Sequence, residues 1–143
     1  MPARTVVITG ASAGIGRAVA QAFAERTWSI GLIARDRERL DVAAETLRAN
    51  GAGVLVLPCD VADPGAVEQV ADRVAESWGG IDVWINAAMV TVFSIFAEMT
   101  PDEYRRVTER VTEVTYLGQV HGTRAALMAG QATVKARSFV GGR

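Results

Sequence analysis

Residues 6–19 read VVITGASAGIGRAV, an apolar run that stops in a glycine cluster and opens at once into a helical pattern. Val6, Val7 and Ile8 suit a buried strand, because β-branched side chains pack well on a pleated surface. Gly10, Gly14 and Gly16 allow a sharp turn and a close backbone approach. The next helix starts with amide N–H groups that have no partner inside it, and these, with the helix dipole, favour an anion such as a pyrophosphate. Ser12 adds a hydroxyl able to bond a phosphate or the loop itself. Taken alone, the same residues also suit a plain tight turn between strand and helix.

Outward from this stretch the alternation continues. Strand-like runs occupy 6–9, 29–34 (SIGLIA), 53–57 (GVLVL) and 81–85 (IDVWI), separated by helical periods at 15–26, 37–49 and 64–78. Pro64 stands in a first-turn position behind Asp63 as N-cap, and Thr100 is placed to cap a long helix from Pro101 to about Met128. This order predicts an α/β fold in three layers, a Rossmann-like parallel sheet with strand order 3-2-1-4, helices on both faces, and a crevice at the carboxyl ends of the strands.

The bulk composition narrows the function. With 143 residues the chain is one domain in size, and its net charge of −1 gives no basic surface for nucleic acid. No apolar run approaches the roughly 18 residues of a membrane helix, so no membrane partner is expected. A single cysteine, Cys59, and the lack of a signal-peptide layout point to the cytoplasm. One histidine, His121, with no carboxylate or thiol partner in its pattern, offers neither a metal site nor a catalyst.

Four landmarks in order resemble the short-chain dehydrogenase/reductase family. TGASAGIG, with its Gly-x-x-x-Gly-x-Gly spacing, is similar to the family's cofactor loop; CDV at 59–61 resembles its adenine-contacting acid; INAAM at 85–89 resembles its Asn-Asn-Ala-Gly; and TYLGQVHGT at 115–123 resembles part of its long helix. The resemblance implies a dinucleotide bound by Gly10, Ser12, Ala13, Gly14, Ile15 and Gly16, by Asp60 and Val61 at the adenine, and by Asn86 and Ala88 after the fourth strand. It makes residues 1–130 an incomplete NAD(P)-binding domain and 131–143 an irregular tail. Arg35 ends the second strand where many nicotinamide enzymes place a ribose-binding acid, and an arginine there accommodates a 2′-phosphate, so NADP(H) is expected over NAD(H). Arg37 and Arg39 are read as the exposed face of the next helix.

The same resemblance implies catalytic groups that cannot be assigned. Hydride transfer in the family relies on a Ser, a Tyr with a Lys four residues later, and an Asn on the long helix. Lys135 is the sole lysine, the tyrosines are Tyr104 and Tyr116, and Thr115 stands at the Asn position, so no residue is expected to be catalytic. The family's fifth strand and its catalytic segment would lie beyond the chain, which is expected to be truncated before them. Further departures are Thr27 where the family has Gly, Ala87 and Met89 within INAAM, and the tandem repeat RVTERVTE at 106–113. Four added helical residues shift the later part of the helix by about 6 Å and rotate it about 40° past a full turn, so one packing face cannot persist throughout. Three readings stay open: the cofactor-binding part of an oxidoreductase, inactive as given; a non-enzymatic nucleotide-binding or interaction protein, self-associating through a sheet edge and the long helix; and a truncated product without function.

Overall fold

The computed structural model describes residues 3–129. Strands β1 (Thr5–Thr9), β2 (Ser29–Ala34), β3 (Val54–Pro58) and β4 (Val83–Asn86) alternate with helices α1 (Gly14–Ala24), α2 (Arg37–Ala49) and α3 (Pro64–Trp78). A long helical segment comes next: α4 (Pro101–Val111), a π-helical turn (Thr112–Leu117) and α5 (Gly118–Ala129). The sheet is wholly parallel in the order β3-β2-β1-β4, as the alternation predicts. Central β1 is paired on both sides, Val7 lying opposite Gly31 on one flank and Trp84 on the other.

Side chains alternate across the sheet and divide the core in two. Val6 and Ile8 point to the layer of Ala20, Ala24, Leu40, Ala44 and Leu47 from α1 and α2. Val7 points the other way, to Val67, Ala71 and Val74 of α3 and to Ala125 and Ala126 of α5. Each fully buried Val, Leu or Ile is worth about 1.5–3 kcal/mol relative to exposure, and this burial fixes the strand register because a slip of one residue would exchange the two faces.

Capping sets most helix starts. Asp36 accepts from Arg39 N–H (3.1 Å) at α2, Asp63 accepts from Ala66 N–H (3.1 Å) at α3, and Thr100 with Glu103 forms a reciprocal capping box at α4. By contrast, α1 has no side-chain cap at Ala13.

Two boundaries differ from the expected ones by two residues. At β4 the strand begins at Val83 rather than residue 81, because Asp82 takes the Thr5 N–H with its carboxylate (2.7 Å) while its own N–H donates to Thr5 O (3.0 Å). A side chain there does what a strand carbonyl would have done. At α1 the helix stops at Ala24 rather than 26, closed by Thr27 at φ +57°. Thr27 N–H bonds Ala24 O (3.0 Å) and Trp28 N–H bonds Phe23 O (3.3 Å), a Schellman pattern, with the Phe23 and Trp28 rings 4.8 Å apart beneath it.

The long helix is continuous yet not uniform. α4 buries none of its residues, whereas Val114 in the π turn and Gly118, Gly122, Ala125 and Ala126 in α5 are buried. The underwound turn straddles the end of RVTERVTE, and the change of packing face demanded by the repeat occurs there. Gly122 lets α5 approach β4 closely, since a Cβ would fall 2.4 Å from Asn86 Oδ1. The tail at 131–143 lies outside the described residues.

Candidate functional site

The glycine loop is built by compression at the carboxyl end of β1. A Cβ on Gly10 would lie 2.7 Å from Ala87 O and from Ala88 N, and a Cβ on Gly16 would lie 2.3 Å from Gly10 O, so a larger residue at Gly10 would push away the segment after β4 and one at Gly16 would push α1 off the turn. Gly10 and Gly14 also have positive φ, +68° and +54°. Buried Thr9 braces the arrangement, its Oγ1 accepting from Ala87 N–H and Ala88 N–H, both at 3.1 Å. The consequence is an uncapped α1 N-terminus whose first residues, Gly14 to Gly16, border an open cleft of about 880 Å³.

The cleft gathers most of the residues singled out in the sequence. Gly10, Ser12, Ala13, Gly14, Ile15, Gly16, Arg35, Asp60, Val61 and Ala88 all line it. Asn86 does not line it: Nδ2 donates to Thr123 Oγ1 (3.1 Å), Oδ1 accepts from Trp84 Nε1–H (2.9 Å), and the side chain ties β4 to α5. Arg39, read from the sequence as simply an exposed helix residue, is exposed but also borders the cleft, because the first turn of α2 lies beside the end of β2. Arg110 borders it too, and sequence reading missed it. Its only signal was membership of the second RVTE copy, four residues after an Arg106 that stays exposed.

Charge is distributed unevenly around this space. Asp36 is occupied by the α2 cap and by Arg39 Nε at 3.5 Å, which leaves the adjacent Arg35 outside every ion pair found among the described residues. Asp60 has both oxygens engaged, Oδ1 with Ala62 N–H (3.0 Å) and Oδ2 with Arg110 Nη2 (2.9 Å). Burial pushes the Asp60 carboxyl up, but the Ala62 and Arg110 hydrogen bonds and the charges of Arg110 and Arg35 outweigh it and hold the group below its ordinary value. The neighbouring Cys59 thiol is pushed up to about 11 by burial and then by Asp60 and Asp63, so it stays protonated and poorly nucleophilic at neutral pH.

Groups able to move protons are placed elsewhere. Tyr104 and Tyr116 are exposed and outside the cleft lining. Thr115 accepts from Val90 N–H (3.1 Å) and donates to Val90 O (3.2 Å), which ties the π turn to the segment after β4. His121 donates through Nδ1 to Val61 O (2.9 Å), holding α5 against the loop after β3. Among the described residues no three His, Cys, Asp or Glu side chains converge as metal ligands.

A parallel sheet in the order 3-2-1-4, with a glycine loop feeding an open helix N-terminus at the strand ends, defines a nucleotide-binding α/β protein of the Rossmann type. Comparison with known proteins narrows this class. The chain belongs to the short chain dehydrogenase family, whose model matches residues 4–135. It is 37% identical over 120 residues to an uncharacterized oxidoreductase of Mycobacterium tuberculosis, covering 82% of this chain and 35% of that protein. Among solved structures it is similar to a short chain dehydrogenase/reductase from Burkholderia phymatum in complex with NAD, with a TM-score of 0.83, 27% identity and coverage of 96% and 48% of the two chains. It is also similar to an alcohol dehydrogenase from the archaeon Thermococcus sibiricus complexed with 5-hydroxy-NADP, with a TM-score of 0.77, 32% identity and coverage of 88% and 52%. The chain thus spans about a third of its curated relative (35%) and about half of these structures (48% and 52%).

Proposed function

We propose that this chain is the NADP(H)-binding part of an oxidoreductase whose family reaction is hydride transfer between the nicotinamide and an alcohol or ketone. The observation that carries the reading is the uncapped α1 N-terminus: α2 to α4 each satisfy their first amides with a side chain, even α2, whose start also borders the cleft, and only α1 leaves them for a ligand. In this reading the Gly10 to Gly16 loop holds the pyrophosphate, Asp60 and Val61 meet the adenine, and Ala88 lies along the path of the dinucleotide. Arg35 takes the 2′-phosphate, favoured because the neighbouring acid, Asp36, is spent on the cap and on Arg39. Asn86 acts indirectly, by keeping β4 and α5 together. The bound cofactor supplies a hydride donor or acceptor; the protein supplies binding and orientation.

Turnover by this chain is not expected, since Lys135 is its sole lysine and no Tyr-x-x-x-Lys is present to provide a proton donor and a ribose clamp. The test is calorimetric titration of NADPH and NADH against the protein and Arg35→Asp. NADPH should bind more tightly, through a charge-assisted contact worth about 1–3 kcal/mol, and Arg35→Asp should erase or reverse the preference. Equal affinities in the unmodified protein would remove Arg35 from the assignment, and no binding of either would remove the reading itself.

A second reading, self-association, is favoured by the apolar segment beyond β4. Phe93 (94% exposed), Ile95 (63%) and Phe96 (78%) lie in the connection that follows β4, the edge strand of the sheet. A second copy of this chain could cover them in a non-catalytic assembly, with the protein remaining in the cytoplasm.

A further inference from the structure

The base end of the cleft contains an ion pair that the rest of the site does not require. Asp60, just beyond β3, meets Arg110, supplied by the last turn of α4, fifty positions later in the chain. The contact is short (2.9 Å), and the Arg110 side chain is only 31% exposed, with Glu113 at 3.8 Å from Nη1. Val114, one turn on, lines the same wall.

The pair changes what this end of the cleft can recognise. A lone carboxylate is an acceptor only, so it welcomes an exocyclic amine and opposes a carbonyl in the same place, where two acceptors would face one another and only the neighbouring N1–H of the oxopurine could turn to it. A guanidinium carries five N–H donors, of which the Asp60 contact uses a fraction, while the carboxylate keeps unoccupied lone pairs. Together they offer a donor and an acceptor side by side. An amine can give to Asp60, and a carbonyl can take from Arg110.

We propose that Arg110 is a specificity-determining residue which, by pairing with Asp60, lets the base end of the cleft accept a 6-oxopurine as well as a 6-aminopurine dinucleotide. This rests on the dinucleotide reading above and adds to it a relaxed choice of base. Arg106, in the first RVTE copy, is exposed and outside the cleft lining; Arg110, in the second, reaches the cleft because it lies a full turn closer to the point where the helix meets the loop after β3.

The experiment compares NADP⁺ with its hypoxanthine counterpart, in which a carbonyl replaces the adenine amine, by calorimetric titration against the protein, Arg110→Met, Arg110→Lys and Asp60→Asn. Arg110→Met keeps an apolar stem against the wall while removing the donors. The unmodified protein should bind the two dinucleotides within about threefold of each other, and Arg110→Met should favour the adenine form by roughly tenfold or more, because the carbonyl loses its donor while the amine keeps its acceptor. Arg110→Lys, which restores a donor, should bring the ratio back, and Asp60→Asn, with an amide that both donates and accepts, should also show little preference. A tenfold adenine preference in the unmodified protein, or an unchanged ratio in a folded Arg110→Met, overturns the proposal while leaving the dinucleotide reading standing. Should Arg110→Met fail to fold, Arg110→Leu replaces it with the same expectation, and a tenfold adenine preference in the unmodified protein still overturns the proposal. If neither dinucleotide binds to any of the four proteins, the dinucleotide reading falls and this inference with it.

Discussion

Thr27 holds φ +57° with a β-branched side chain, a conformation that glycine adopts without penalty. The Schellman bonds and the Phe23–Trp28 contact hold it there, so the strain is carried by the turn rather than relieved. Thr27→Gly should therefore stabilise the protein by about 1 kcal/mol, read as a higher urea midpoint with an unchanged slope; a lower midpoint would mean that the bond from Thr27 Oγ1 to Arg26 O outweighs the strain. Asp60 provides a second test at this scale. Its carboxyl is depressed in the folded protein, so its stabilising contribution is fully present above its unfolded value, about 3.9, and is lost as pH falls through the lower folded value. Since the side chain is 39% exposed, the contribution is screened to about 1 kcal/mol or less. The stability difference between the protein and Asp60→Asn, measured by urea unfolding at several pH values, should hold steady above about pH 5 and shrink below about pH 4. A difference that grows on acidification would contradict the pairing with Arg110.

Among the elements, α4 stands apart because it has a strong local start and no buried residue. Its order comes from the Thr100–Glu103 capping box, the Arg110–Asp60 contact at its far end and continuity with the π turn. Helices held by apolar burial open mainly with the whole fold, whereas one held by caps and exposed ion pairs opens locally. Amide hydrogen exchange in α4 should accordingly be faster than in α2 or α3, and Thr100→Ala should speed it further while leaving the global urea transition almost unchanged. Protection in α4 equal to that in α3 would show that another part of the protein covers it. The sequence disclosed that RVTERVTE would disturb the helix register, but the place of the adjustment depends on where Val114 and the small residues of α5 find the sheet.

At the scale of the whole molecule, the exposed apolar residues are concentrated beyond β4: Met89, Val92, Phe93, Ile95 and Phe96 in the connection, and Tyr116, Leu117, Val120, Leu127 and Met128 along the π turn and α5. Exposed apolar segments and an unpaired sheet edge both favour association, so light scattering should report a mass that rises with concentration, and Phe93→Asp should lower it. A monomer at all concentrations would exclude this. Oxidation of NADPH with a panel of ketones and diketones should be undetectable with the verified 143-residue chain, whatever its state of association. Steady turnover would require a proton donor other than a Tyr-x-x-x-Lys pair.

The alternation of apolar runs with helical periods determined the element order and the parallel sheet, because period and crossover handedness are local properties of the chain, and the strand order followed when the Gly10 to Gly16 cluster was read with it. Gly10, Gly14 and Gly16 were legible for the same reason: a turn that only glycine tolerates leaves its mark in the sequence, and so did Thr27 as the exception to that preference. What the tertiary structure decided was which side chains share a space. Asn86 turned to α5 instead of the cleft, Arg39 came to the cleft mouth, and Arg110 crossed from a helix fifty positions away to take the carboxylate of Asp60. Such pairings depend on how deeply a helix settles on the sheet, and that depth is fixed by distant contacts, such as Gly122 against Asn86, that no local pattern records.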